Sequence, residues 1–195
     1  MALLAVSILL FLAVHLVRVV APGLRRSAIS AMGRPVWIML HSVLSIATLA
    51  LLVWAFAEAR SVTGMLYNPP VWMSHITLSL MLIACVCLAA AALPAGYIRT
   101  KTKFPLLVAI KIWAFSHLLA NGETSSVMLF GAFLAWAVVL RISLKKRVAS
   151  GEVVARPFVS SRYDIFAVAL GILIWAAIVF HLHEALIGVS PLVAM

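Results

Sequence analysis

Six histidines are the residues of this chain best suited to chemistry, and all six, His15, His41, His75, His117, His181 and His183, fall inside long apolar segments. Ionisable groups at membrane depth are costly to insert, so they usually face the interior of a helix assembly and are candidate functional residues by default. An imidazole there can exchange a proton or ligate a metal or haem iron. A neutral ring is also cheap to bury and is satisfied by one backbone or Ser/Thr partner. Each histidine therefore has a structural role to set against a functional one.

Other chemistries find little support. There is no GxSxG nucleophile elbow, no HExxH, no phosphate-cradling glycine loop and no CxxCH for covalent haem. Cys85 and Cys87 lie two residues apart in one apolar run, about 200° apart on a helix, and read as small core residues. Of the five carboxylates, Glu58, Glu123 and Glu184 are expected near the outer face of the membrane, and Glu152 and Asp164 in a basic cytoplasmic loop, solvated. Lys111 can snorkel to the membrane edge, and Gly131 with Ala135, four apart, fits close helix packing.

The elements that must position these residues follow from composition. The 195 residues are 66% hydrophobic and 10% charged, with a mean hydropathy of +1.19. A soluble domain carries about 25% charged residues, and no polar stretch here is long enough to form one. A helix needs about 20 residues to cross roughly 30 Å of hydrocarbon. Apolar segments of that order lie at 2–21, 36–57, 71–93, 105–120, 124–141 and 165–188. They lack the alternation of a membrane β-strand. The fold class expected is all-α: one domain over 1–195, a polytopic transmembrane helical bundle of about six spans. The first segment, with no basic residue before Arg18, reads as a retained span. Pro22, Pro69, Pro70, Pro94 and Pro105 punctuate the segments, and Asn121-Gly122 makes a turn so short that its flanking helices must be antiparallel neighbours.

A formal charge of +10 could suggest nucleic acid, but the aromatic residues lie in apolar runs and no nucleic-acid-binding signature is present. The charge instead alternates by loop. Arg25, Arg26 and Arg34 occupy the first loop, Arg99, Lys101 and Lys103 the third, and Arg141, Lys145, Lys146, Arg147, Arg156 and Arg162 the fifth; the second has only Arg60 and the fourth none. Positive residues collect on the cytoplasmic side, which places both termini outside. On that topology, at 1.5 Å per residue, His15 and His41 lie about 8–9 Å from the cytoplasmic edge, His117 about 18 Å from it, and His75, His181 and His183 within roughly 7 Å of the outer edge. His41 shares a face with Ser45 and, more loosely, Thr48; His181 shares one with Glu184.

Several stretches resemble the NnrU family of bacterial membrane proteins, which includes relatives of plant 15-cis-ζ-carotene isomerase. They are FLAVHLVR with Arg25 and Gly33 downstream, LVWAFAEA, the long IWAFSHLLANGETSSVMLFGAF from Ile112 to Phe133, and HEALIGVSP from His183 to Pro191. The family motif thus includes Asn121, Gly122, Glu123 and His183. The resemblance implies an inner-membrane protein associated with denitrification and nitric-oxide metabolism. From the isomerase branch it implies haem b, held by the positions matching His15 and His117, and a redox isomerisation that involves a redox partner or a small hydrophobic substrate. The chain departs from the family at Lys103-Phe104-Pro105, where an Arg-His-Pro triplet is usual, and at Ala114, where the isomerase branch has a cysteine. A mechanism using that thiol cannot operate here. The alternative is a non-enzymatic membrane subunit or small-solute transporter, its histidines serving as interhelical hydrogen-bond partners.

The orientation is directly testable. Alkaline phosphatase fused after the last residue is expected to be active, and a fluorescent protein at the same place dark; the reverse pair would overturn the reading of the loop charges.

Overall fold

The computed structural model describes residues 1–192. Every apolar segment is a helix: α1 Ala2–Val20, α3 Arg34–Ser61, α4 Trp72–Ala92, α6 Pro105–Ala120, α7 Thr124–Ala149, and a last run made of α8 Arg162–Ala177, a π-helical turn Ile178–Leu182 and α9 His183–Ile187. Two further helices, α2 Pro22–Met32 and α5 Tyr97–Thr102, occupy stretches read above as loops. Pro22 explains the first: a proline that cannot continue one helix is well placed in the first turn of the next, and it opens α2. Among the described residues the single extended pairing is an isolated bridge between Met65 and Glu123.

Five helices are long and apolar enough to cross a bilayer, Ala2–Val20, Arg34–Ser61, Trp72–Ala92, Thr124–Ala149 and Arg162–Ile187, and Pro105–Ala120 is a shorter apolar one. The 16 residues of α6 reach about 24 Å, less than a hydrocarbon core. The faces of these helices are covered with exposed apolar side chains, for example Leu9 at 66%, Ile46 at 68% and Leu173 at 66%. In water such surface would drive aggregation; in lipid it is the solvent-facing surface. The protein is a multi-pass, all-α membrane protein.

The chain divides into two compact units: residues 1–66 with 123–132, and 67–122 with the remainder. In the first, α1 packs along α3, and α2 folds against both. The chain after α3 anchors the start of α7. The Thr124 amide donates to the Gly64 carbonyl at 2.9 Å, and the Ser125 amide to Thr63 Oγ1 at 3.0 Å. These bonds satisfy two of the orphan donors at the helix start.

In the second unit α4 is central, packing on both α6 and α8. It does so with small residues: Ala84, Cys85, Cys87, Ala89 and Ala90 are buried, and Ala89, Ala90 and Ala167 form one cluster. Both cysteines are free and buried, the core role expected of them. Small side chains let helix backbones approach, the main source of helix association in lipid. The closest approach is at Gly171, where an added Cβ would lie 2.6 Å from the Val86 Cα. Gly131, expected at such a contact, is not at one: a Cβ there would meet nothing within 4 Å. Packing spacing alone does not say which small residue faces a helix. Thr77 Oγ1 donates to the Ser116 carbonyl at 2.9 Å and Trp175 Nε1 to the Leu78 carbonyl at 2.9 Å, tying α4 to α6 and α8.

Charged residues lock one end of this unit. The Asp164 carboxylate accepts the amides of Tyr97 and Ile98 at 2.8 and 2.9 Å, capping the short α5. Arg99 donates to the carbonyls of Ala90, Ala91 and Leu93, which end α4. Burial first, and Arg156 second, lower the Arg99 pKa. Asp164, placed above in a basic loop, thus accepts two backbone amides at the start of α5. The Asn121-Gly122 turn is equally specific. A Cβ on Gly122 would run into the carbonyl oxygen of Tyr67, while the Tyr67 amide donates to the Gly122 carbonyl at 3.4 Å. Within this unit Trp113 of α6 meets Phe133 of α7 edge-to-face at 5.5 Å.

Two outcomes follow. Asp164→Ala is expected to lower stability by about 1–2 kcal/mol through the lost cap, read as a lower thermal midpoint in detergent, with Asp164→Asn milder. Gly122→Ala is expected to reduce folded protein sharply, measured as monodisperse yield; an unchanged yield would contradict the Tyr67 contact.

Candidate functional site

The structure sorts the six histidines. His75 and His181 are exposed, whereas His15, His41, His117 and His183 are half-buried and come together in pairs. In the first unit His15 on α1 and His41 on α3 meet edge-to-face, ring centres 5.8 Å apart. In the second, His117 on α6 and His183 at the start of α9 lie 6.5 Å apart with ring planes at 26°.

Each ring is held by its Nδ1. His15 Nδ1 is 2.8 Å from the Phe11 carbonyl, and His117 Nδ1 is 2.8 Å from the Trp113 carbonyl, in both cases four residues back on the same helix. His183 Nδ1 is 2.6 Å from the Val189 carbonyl. A carbonyl only accepts, so Nδ1 is the protonated atom in all three rings, and in the neutral ring Nε2 carries the lone pair. His41 reaches the same state differently. Ser45 Oγ donates its one hydrogen to the His41 carbonyl at 2.7 Å, leaving Oγ to accept from His41 Nδ1 at 3.1 Å. Donation of the far ring N–H to a carbonyl is how proteins orient a histidine that binds metal through its other nitrogen. It is also a sufficient way to satisfy a buried ring.

Aromatic side chains fix three of the rings further. Phe11 stacks on His15 at 4.1 Å, Trp37 lies 6.0 Å from His41, and Trp113 lies 5.5 Å from His117. Each aromatic precedes its histidine by four residues, one helical turn, and that repeated spacing is a sequence signal not used above. The polar stripe on α3 turns His41 toward α1, and Thr48 Oγ1 donates to the Leu44 carbonyl at 2.7 Å. His181 and Glu184 make no hydrogen bond with each other among the described residues, because the π-helical turn breaks the i,i+3 register that the sequence suggested.

The Asn-Gly-Glu motif works on the helix that carries His117. The Asn121 amide and its side-chain Nδ2 both donate to the His117 carbonyl, each at 2.9 Å. Tyr67 Oη donates to the carbonyls of Leu118 and Asn121. These bonds take up carbonyls that the end of α6 would leave unpaired. Tyr67 was not singled out from sequence; it precedes Asn68-Pro69-Pro70 and carries no periodic signal. Glu123, in the first unit, has Oε2 buried without a hydrogen-bond partner, as is Oγ of Ser125, which is 0% exposed. Lining up three or more His, Cys, Asp or Glu side chains for a metal held by protein alone occurs nowhere among the described residues. A haem iron, which brings four ligands of its own, asks the protein for one or two imidazoles.

No curated protein and no solved structure is significantly similar to the chain. A family model described as NnrU protein matches residues 3–191, which takes in both the helix-end motif around Asn121 and the C-terminal segment from His183 to Pro191. With nearly the whole sequence matched, this chain belongs to the NnrU family.

Proposed function

We propose that this protein binds haem b in the inner membrane through imidazole, with His117 and His15, the two positions implied by resemblance, as ligands, and that it acts in denitrification or nitric-oxide metabolism or in a redox isomerisation. The observation that carries the reading is the shared setting of His15 and His117. Each donates Nδ1–H to the carbonyl four residues earlier, the tautomer in which a neutral imidazole ligates iron through Nε2. When bound, the haem would supply a one-electron Fe(III)/Fe(II) couple within an apolar environment.

The chain's own residues supply the rest. Trp113 and Phe11 orient the two rings through their carbonyls and limit ring rotation by contact. Asn121 and Tyr67 hold the end of α6 so that His117 keeps its height on the helix. Exposed apolar faces keep water away from the helices and leave membrane-dissolved molecules as the natural reactants. Both termini lie on the periplasmic side in this reading, and the basic loops in the cytoplasm.

Haem-replete expression and purification in detergent is expected to give a Soret band. The His117→Ala variant is expected to lose or shift that band, with His15→Ala tested alongside. A wild-type protein without Soret absorbance would refute the haem reading and favour the non-enzymatic subunit or transporter, in which the same histidines serve as helix-to-helix hydrogen-bond partners.

A further inference from the structure

Lys111 lies in the interior of an apolar helix, α6, where a charge is costly. Leu107, four residues before it, and Ala114, three after, share its face and are buried. The lysine stem therefore leaves from a packed face of α6 and not from one turned wholly to lipid. The charges that bear on its ammonium group are those of Arg141 and Lys145 on α7. These two are four residues apart, one turn, on the same side of that helix, and Ala137, one turn before Arg141, is 0% exposed. All three cations belong to the second unit.

Like charges that converge beside hydrocarbon repel one another, and an anion among them relieves that repulsion. The chain does not supply it. Among the described residues, none of the three side chains is ion-paired or hydrogen-bonded. The carboxylates of the same unit are engaged or stand elsewhere. Glu152 pairs with Arg147 at 3.0 Å, Asp164 accepts the amides of Tyr97 and Ile98, and Glu184 lies at the far end of the last helical run.

The surroundings select the kind of anion. One turn from each cation toward the middle of the membrane stands an exposed apolar side chain: Phe115 from Lys111, at 47%, Val138 from Arg141, at 42%, and Ile142 from Lys145, at 50%. The loop charges put the start of α6 and the end of α7 on the cytoplasmic side, so these side chains run inward from the cations. A charged head above an apolar track matches a phospholipid, whose phosphate lies at the membrane edge and whose tails lie along helices. A free anion would meet the charges and leave the track unused. The cytoplasmic leaflet is the negatively charged one, and basic pockets between helices on that side take lipid headgroups.

We propose that Lys111, Arg141 and Lys145 form a binding site for an anionic phospholipid of the cytoplasmic leaflet, its phosphate diester held by the three cations and its acyl chains laid along Phe115, Val138 and Ile142. The planar Arg141 guanidinium can take two phosphate oxygens side by side, and the two ammonium groups act as point charges. The site uses none of the histidines and stands or falls independently of the haem reading.

Native mass spectrometry tests it, with the purified protein released from micelles doped equally with dioleoyl phosphatidylglycerol and dioleoyl phosphatidylcholine. The wild type is expected to retain phosphatidylglycerol in preference. Lys111→Gln and Arg141→Gln each lower that retention about fivefold, and Lys111→Arg keeps it. Lys146→Gln, which removes the same charge from another face of α7, leaves it unchanged. An equal loss in Lys146→Gln and Lys111→Gln would reduce the attraction to net charge and overturn the site. Equal retention of the two lipids by the wild type would do the same. Displacement of phosphatidylglycerol by millimolar inorganic phosphate would make the ligand a free anion and overturn the lipid assignment. If Lys111→Gln fails to accumulate, Arg141→Gln decides, undiminished retention counting against the site.

Discussion

Hydrocarbon offers no partner to a polar group, and most of this structure can be understood as the response to that one constraint. Backbone groups are satisfied by helices, as they must be. The polar side chains follow the same rule at short range. His15, Ser45, Thr48, Ser79, His117 and Asn121 all bond to the carbonyl four residues before them. The arrangement does more than pay for burial. A carbonyl accepts only, so it fixes which nitrogen of each imidazole carries the proton and which carries the lone pair. Chemistry and solubility in lipid are set by the same bonds.

Where helices end, the four carbonyls or amides that lose their partners must find others, and the residues that supply them are the specific part of the fold. Arg99 closes the end of α4, Asp164 opens α5, Asn121 and Tyr67 close α6, and Thr63 with Gly64 opens α7. Between the ends, association relies on small residues such as those of α4 and on the close passage of Gly171 by Val86. The lipid contributes nothing to choosing among helix arrangements, because tails and leucines are equally apolar. Helix ends and small-residue contacts therefore carry the specificity.

The two family motifs gain a physical meaning from this. The Asn-Gly-Glu motif lies one residue beyond the helix of His117 and bonds to the carbonyl of that histidine itself. The C-terminal motif begins with His183 and ends with the turn that supplies its acceptor. In both, a histidine is followed by the residues that hold it. A π-helical turn, Ile178–Leu182, immediately precedes His183.

Composition, the six apolar segments and the loop charges determined the fold class, the six principal helices and the burial of Cys85 and Cys87, since these depend on local hydrophobicity and on helix periodicity. Most helix bounds agree within three residues; the excesses, at the ends of α3 and α7, are stretches that mix charged and apolar residues and continue a helix past the apolar run. Local reading also gave the Asn-Gly turn after α6, whereas His15 and His117 were singled out by the family resemblance and not by any local pattern. It missed α2 and α5, which are too short and polar to stand out, and gave Asp164 to solvent. Only tertiary structure decided which histidines meet, that His75 and His181 stay exposed, and that Tyr67 clamps α6. Those depend on side chains far apart in sequence, and on a single inserted residue in a helical turn that no regular 3.6-residue period can reveal.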